Sequence, residues 1–204
     1  MKTVIAVVVL LTTLLTARAG DSVVTFRNDV FRLPDGSLDP ARLVTFDASF
    51  GALAGQGVRN GVVQEGERSY VAQLFKVEGG NGIPVGTPVP FGGPNTTDAG
   101  TWKGGNLTLA GVEPGSRVEL MVKVWDDRFS TFEAAAASPL RWPSTPGFGS
   151  SAVFSYTQPK FPLLPSDTFM TGFSWFSITI PVPEPRILML LSVGLAGLLC
   201  IRRR

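Results

Sequence analysis

The stretch Ser116-Arg-Val-Glu-Leu-Met-Val-Lys-Val-Trp125 decides the fold class. Val118, Leu120, Val122 and Val124 fall on one face, and Arg117, Glu119, Met121, Lys123 and Trp125 on the other. Successive side chains of a strand point to opposite faces, so this alternation describes a strand with one face on a core. A helix would scatter the four aliphatic residues around its circumference. Immediately upstream, Gly111-Val-Glu-Pro-Gly115 supplies the turn that leads into the strand.

Working outward, the pattern repeats in shorter pieces. Residues 22–27, 42–47, 69–77, 106–110, 151–157 and 169–180 read as strands, separated by Gly, Pro, Asn and Asp. Pro34-Asp-Gly-Ser37 and Gly79-Gly-Asn-Gly82 are turn signals, the second the clearest in the chain. The prolines of residues 84–91 confine that segment to a sheet edge or a loop. Residues 50–61 are glycine-rich and predict a loop, as do residues 158–166 with their three prolines. Residues 129–138 break the pattern. Ser130 with Glu133 three places on, followed by Ala134 to Ala137, predicts a helix of two or three turns ended by Ser138-Pro139. About eight short strands and one helix predict a mainly β domain, a single β-sandwich over residues 20–180.

The two ends of the chain have a different composition. Lys2, an apolar run from Val4 to Leu15, and Ala17 and Ala19 at the −3 and −1 places before Gly20 predict a secretory signal peptide over residues 1–19. At the other end, Val182-Pro183-Glu184-Pro185 precedes an uncharged apolar run, residues 187–201, and then Arg202, Arg203 and Arg204. Pro183 and Pro185 keep the short motif extended, because each bars helix for the residue before it. The apolar run reads as a transmembrane helix. At 1.5 Å per residue it covers about 22 Å, short of the ~30 Å hydrocarbon core. Arginines at both ends can snorkel across the difference, and the three terminal ones favour a cytoplasmic C-terminus.

With these ends set aside, residues 21–180 hold 12 Lys+Arg against 15 Asp+Glu, a balance of −3, although the whole chain is +2. A slightly acidic domain without a basic run argues against nucleic acid as its partner. The single cysteine, Cys200, lies in the terminal apolar run, so residues 20–180 must be held by packing and not by disulfides.

The C-terminal arrangement resembles the PEP-CTERM sorting signal of Gram-negative bacteria, in its motif Val182–Pro185, its apolar run and its basic end. The resemblance covers residues 181–204 alone. It implies an exosortase, an integral-membrane peptidase, as processing partner. It also implies transient anchoring in the inner membrane and delivery to the cell surface or extracellular matrix. Association of such systems with exopolysaccharide production makes a matrix or biofilm role, with exopolysaccharide as partner, the expectation for the exported domain.

Catalytic patterns are sparse. The chain contains no histidine, which removes His-based triads, bases and metal ligands together. Neither Walker A, nor dinucleotide, nor nucleophile-elbow sequences occur. Asp126 and Asp127 follow the best strand but point to opposite faces, so a strand-end turn outweighs a glycosidase pair. Glu65 and Glu67 flank a turn. Asp35, Ser37 and Asp39 resemble a fragment of a calcium loop, and a plain turn outweighs that reading too. Trp102, Trp125 and Trp142 are the candidate platform for stacking sugar rings, against the commoner core role of aromatics. Trp125, opposite the apolar stripe of its strand, is either exposed or packed under the helix of residues 129–138. No cofactor, metal site or enzymatic activity is expected. The reading is an exported structural or matrix protein, with a carbohydrate-binding lectin or adhesin, then a carboxylate-dependent glycosidase, as alternatives.

Overall fold

The computed structural model describes residues 20–61, 68–93, 96–139 and 146–181. Outside these lie the expected signal peptide with Ala17 and Ala19, Glu65 and Glu67, Trp142, the Val182–Pro185 motif, the apolar run 187–201 with the expected transmembrane helix, and Arg202 to Arg204. Among the described residues no helix is long and apolar enough to cross a membrane.

The chain is mainly β, consistent with a β-sandwich. The strands are β1 (Ser22–Arg27), β2 (Val44–Phe46), β3 (Tyr70–Glu78), β4 (Asn81–Pro90), β5 (Lys103–Leu109) and β6 (Arg117–Asp126). After a helix, α1 (Phe132–Ala136), come β7 (Phe148–Ser150), β8 (Phe154–Thr157) and β9 (Phe176–Ile178). β6 sits at the centre of the largest sheet. β3 pairs along one edge of it, and β7 and β8 share the other, all antiparallel. β4 closes that sheet beyond β3. Two smaller pairs, antiparallel β1–β5 and parallel β2–β9, face it across the core.

The core follows from the alternation in the sequence. Val118, Leu120, Val122 and Val124 are buried from β6, and Tyr70, Ala72 and Leu74 from β3. Opposite them lie Val24 and Phe26 of β1, Val44 and Phe46 of β2, and Phe176 and Ile178 of β9, in the same cluster. Burial of this apolar surface is the main stabilising term for a fold that has no disulfide. Phe26, Phe91 and Phe173 surround Trp102 at ring-centroid distances of 5.2, 5.7 and 5.5 Å.

The outer face of β6 has its own small cluster. Phe75, Trp125 and Ala135 are buried there, with Val71, Phe129, Phe132 and Phe148 packed against them. Lys123 lies 4.5 Å from the Phe75 ring centroid and 4.7 Å from that of Phe132, and its ammonium pairs with Glu133 at 2.6 Å. Stacked between rings and held by a carboxylate, Lys123 fastens α1 to the back of the sheet.

Most expected strands are present, with altered bounds. The Gly79-Gly80 turn joins β3 to β4 with both glycines at positive φ, 56° and 82°, as a tight hairpin of right-handed twist requires. The expected helix over 129–138 is shorter, Phe132–Ala136, and its cap is Thr131, whose hydroxyl accepts from Ala134 N at 3.1 Å. Ser130 does not serve because Trp125 Nε1 donates to the carbonyl of Phe129 and holds the preceding turn non-helical. The expected strand over 169–180 narrows to β9, since Phe169 forms only an isolated bridge with Thr25. Part of the glycine-rich loop over 50–61 belongs to a 3-10 segment, Ala48–Leu53, capped by the Asp47 side chain.

The two tyrosines of the chain, Tyr70 and Tyr156, are both buried, and burial pushes each phenol up to about 12. For Tyr70 the Arg68 guanidinium works against that rise. A phenol whose folded pKa exceeds its unfolded value holds its proton better in the folded chain. The resulting stability is present below about pH 10 and is lost as pH rises toward 12. Absorbance titration at 295 nm should therefore show no phenolate step near pH 10, with both tyrosines ionising close to pH 12 as the fold is lost. In the core, Leu120→Ala should cost about 2–5 kcal/mol in denaturant unfolding, since Leu120 is fully buried on the central strand.

Candidate functional site

The site that the fold positions is the point where the domain hands over to its C-terminal tail. β9 runs parallel to β2 in the register Val44↔Phe176, Thr45↔Ser177 and Phe46↔Ile178, and the Thr45 and Ser177 hydroxyls meet at 2.9 Å. Past β9 the backbone remains held. Asp47 N donates to the Ile178 carbonyl at 3.0 Å, and Phe148 and Thr179 exchange two bonds of 3.0 and 2.9 Å. Ile180 N donates to Ser49 Oγ at 2.8 Å.

Ser49 is itself fixed. Its N–H donates to Asp47 Oδ1 at 2.8 Å, and its hydroxyl donates to the same oxygen in a short hydrogen bond. The Asp47 side chain therefore caps the 3-10 segment and aims the Ser49 oxygen at Ile180. The close approach of β7 to β9 depends on Gly149, where a Cβ would lie 2.6 Å from the Ser177 carbonyl oxygen and 3.0 Å from Ile178 Cα. Ile180 is buried and Pro181 is exposed. Among the described residues the last one clamped in this way, Ile180, stands two positions before Val182, the first residue of the Val182–Pro185 motif.

Two of the expected sugar-platform residues are corrected by the structure. Trp102 and Trp125 are each only 1% exposed. Trp102 is enclosed by Phe26, Phe91 and Phe173, and Trp125 by Phe132 and Phe129, so neither ring offers a face to a ligand. Aromatic area in a disulfide-free domain is drawn to the core, and of the two places open to Trp125 in the sequence the structure shows the one under α1. Trp142 lies outside the described residues.

The carboxylates take the roles of turn and ion-pair residues. Asp126 is fully buried and receives the Arg128 guanidinium in two bonds of 2.8 and 2.6 Å. Asp127 points outward, and burial together with the charge of Asp126 pushes its carboxyl up from the usual range. Asp35 accepts from Ser37 N and Oγ at 2.9 and 2.6 Å, and Asp39 caps Pro40–Arg42 through Ala41 N. These bonds make a turn and a helix cap. Among the described residues no group of three or more acidic or cysteine side chains is gathered as a metal site. An exposed apolar tip at Phe161, Leu163 and Leu164 was not foreseen in the proline-rich loop. Asp167 braces it by accepting from the Leu163 and Leu164 N–H groups.

Residues 181–204 match the family model of the PEP-CTERM protein-sorting motif. No curated protein and no solved structure matches the chain. The matched segment begins at Pro181, the residue at which the clamped chain becomes exposed. The motif implies processing by an exosortase and export with membrane transit.

Removing the clamp should loosen the handover without unfolding the domain. Ser49→Ala deletes one hydrogen bond worth about 1 kcal/mol, so amide exchange at Ile180 should quicken about fivefold while core amides of β6 stay unchanged. Gly149→Ala should be far more disruptive, lowering the thermal midpoint because its Cβ meets backbone that cannot retreat.

Proposed function

We propose that this chain is an exported protein of the cell surface or extracellular matrix, delivered there by an exosortase that reads Val182–Pro185 and removes the tail. The domain over residues 20–180 is the cargo. It serves as a structural or matrix component and not as an enzyme. The observation that carries this reading is the match of residues 181–204 to the sorting motif, set directly after a clamped strand end.

The geometry suits the proposed order of events. A signal peptide over residues 1–19 starts export, and the apolar run 187–201 then holds the C-terminal end in the inner membrane. A peptidase needs an extended backbone at its cleavage point, and two prolines within four residues supply one. Only five residues, 181–185, separate clamped Ile180 from Arg186. Fully extended they span about 17 Å. The folded cargo is thus kept near the membrane surface, with its clamped strand end close to the motif. Asp126 is committed to its Arg128 ion pair and faces away from Asp127, which favours a binding or structural cargo over the glycosidase alternative. A stacking platform built on Trp102 and Trp125 is excluded by their burial, so a carbohydrate role would need other residues.

Replacing all four residues of Val182–Pro185 by alanine keeps the apolar run and the basic end but removes the signature. Cell fractionation should then find the full-length chain retained in the membrane fraction, with the extracellular form lost. Undiminished release of the substituted protein would contradict the proposal.

A further inference from the structure

Six of the seven described arginines can be sorted by their partners, and the seventh, Arg68, is buried beside Tyr70. Arg27, Arg42, Arg117 and Arg128 each stand beside a carboxylate, from Asp29, Asp39, Glu119 and Asp126. Arg32 and Arg59 do not, among the described residues. Arg32 Nη1 donates to the Gly36 carbonyl at 2.8 Å, and Arg59 Nη2 donates to Gln56 Oε1 at 2.8 Å. The buried Nε of Arg59 meets no acceptor among the described residues.

These two arginines line the same concavity, of about 540 Å³, together with Ser37, Gln56, Gly57 and Thr97. Among the described residues no carboxylate lines it. The nearby acids are turned to other partners. Asp35 is held by Ser37 N–H and hydroxyl, Asp39 by Ala41 N–H and Arg42, and Asp98 by Lys103 at 2.8 Å. Leu38, Leu43 and Ala99 also line it. Next to this lining, Val44, Val58 and Gly100 are tied by backbone hydrogen bonds of 2.8 to 3.1 Å. Gly57 lies so close to Ala99 that a Cβ there would come within 2.5 Å of the Ala99 carbonyl carbon. Two guanidinium groups at one concavity stand out in a domain whose own balance is −3.

We propose that Arg32 and Arg59 form a binding site for an oxyanion of the carboxylate or sulfate class, carried on an acidic sugar chain or free in solution. A guanidinium presents paired N–H donors in a plane that matches two oxygens of such a group. Two cations lining one concavity with no carboxylate beside them among the described residues repel each other, and an anion between them relieves that Coulomb energy. The concavity is too shallow to shield a small ligand fully, so its grip weakens as salt screens the charges. This site does not depend on the sorting signal, and its failure would leave the export reading intact.

The test uses the full-length protein in detergent, titrated with oligogalacturonate, with inorganic sulfate and with neutral dextran. Saturable binding of oligogalacturonate is expected, roughly tenfold or more weaker in Arg32→Gln and in Arg59→Gln. Arg59→Lys should recover part of the affinity through its charge. Arg117→Gln removes an exposed arginine on β6 that is already paired with Glu119, and should bind as the parent does. Competition by sulfate would show that a free oxyanion suffices, and its failure to compete would assign the site to the polymer-borne group. Equal binding of dextran, no saturable binding of either anion, or affinity untouched by Arg32→Gln and Arg59→Gln would each overturn the proposal. So would an equal loss in Arg117→Gln, which would reveal general attraction to a polyanion. Unchanged thermal midpoints would confirm that the variants are folded.

Discussion

Burial of one face of β6 is the constraint on which the rest of the domain depends. Val118, Leu120, Val122 and Val124 can leave water only if β3, β7 and β8 flank the strand and a second layer covers it. That second layer is made of two short pairs, β1–β5 and β2–β9, neither of which would be stable alone. The strand also imposes an outer face, where Trp125 and the Lys123 stem must be covered. α1 meets that need with only five residues, held by the Lys123–Glu133 pair and the Phe75 and Phe132 rings.

The same economy governs the C-terminal end. β9 is three residues long and draws its stability from its neighbours more than from its own pairing. Its continuation is fixed by Phe148, Asp47 and Ser49, three groups contributed by segments far away in sequence. The domain is therefore held up to Ile180, two residues before the sorting motif begins in the sequence.

How much of this could be read from the sequence varied with the range of the interactions involved. β1 and β6 were legible because period-two alternation reports a one-sided burial within a single strand, and the Gly79-Gly80 hairpin was legible because only glycine accepts both positive φ values cheaply. The sorting signal was legible because it is contiguous and physical at each step: prolines, apolar run, arginines. By contrast, the parallel β2–β9 pairing joins residues more than 130 positions apart, and nothing local to either segment announces it. The burial of Trp102 and Trp125 stayed open in the sequence for the same reason, since it is decided by rings on distant segments and by α1. The Arg32–Arg59 concavity was also invisible, because the two arginines are brought together by the backbone zip of Val44, Val58 and Gly100 and share no motif.

The central claim is that the chain is a cargo domain released from a temporary membrane address. Intact-mass determination of both termini, on protein recovered from outside the producing cells, tests it most directly. The account predicts an N-terminus at Gly20 and a C-terminus within or close to Val182–Pro185, with the apolar run gone. An exported form that still ends in Arg202-Arg203-Arg204 would contradict it.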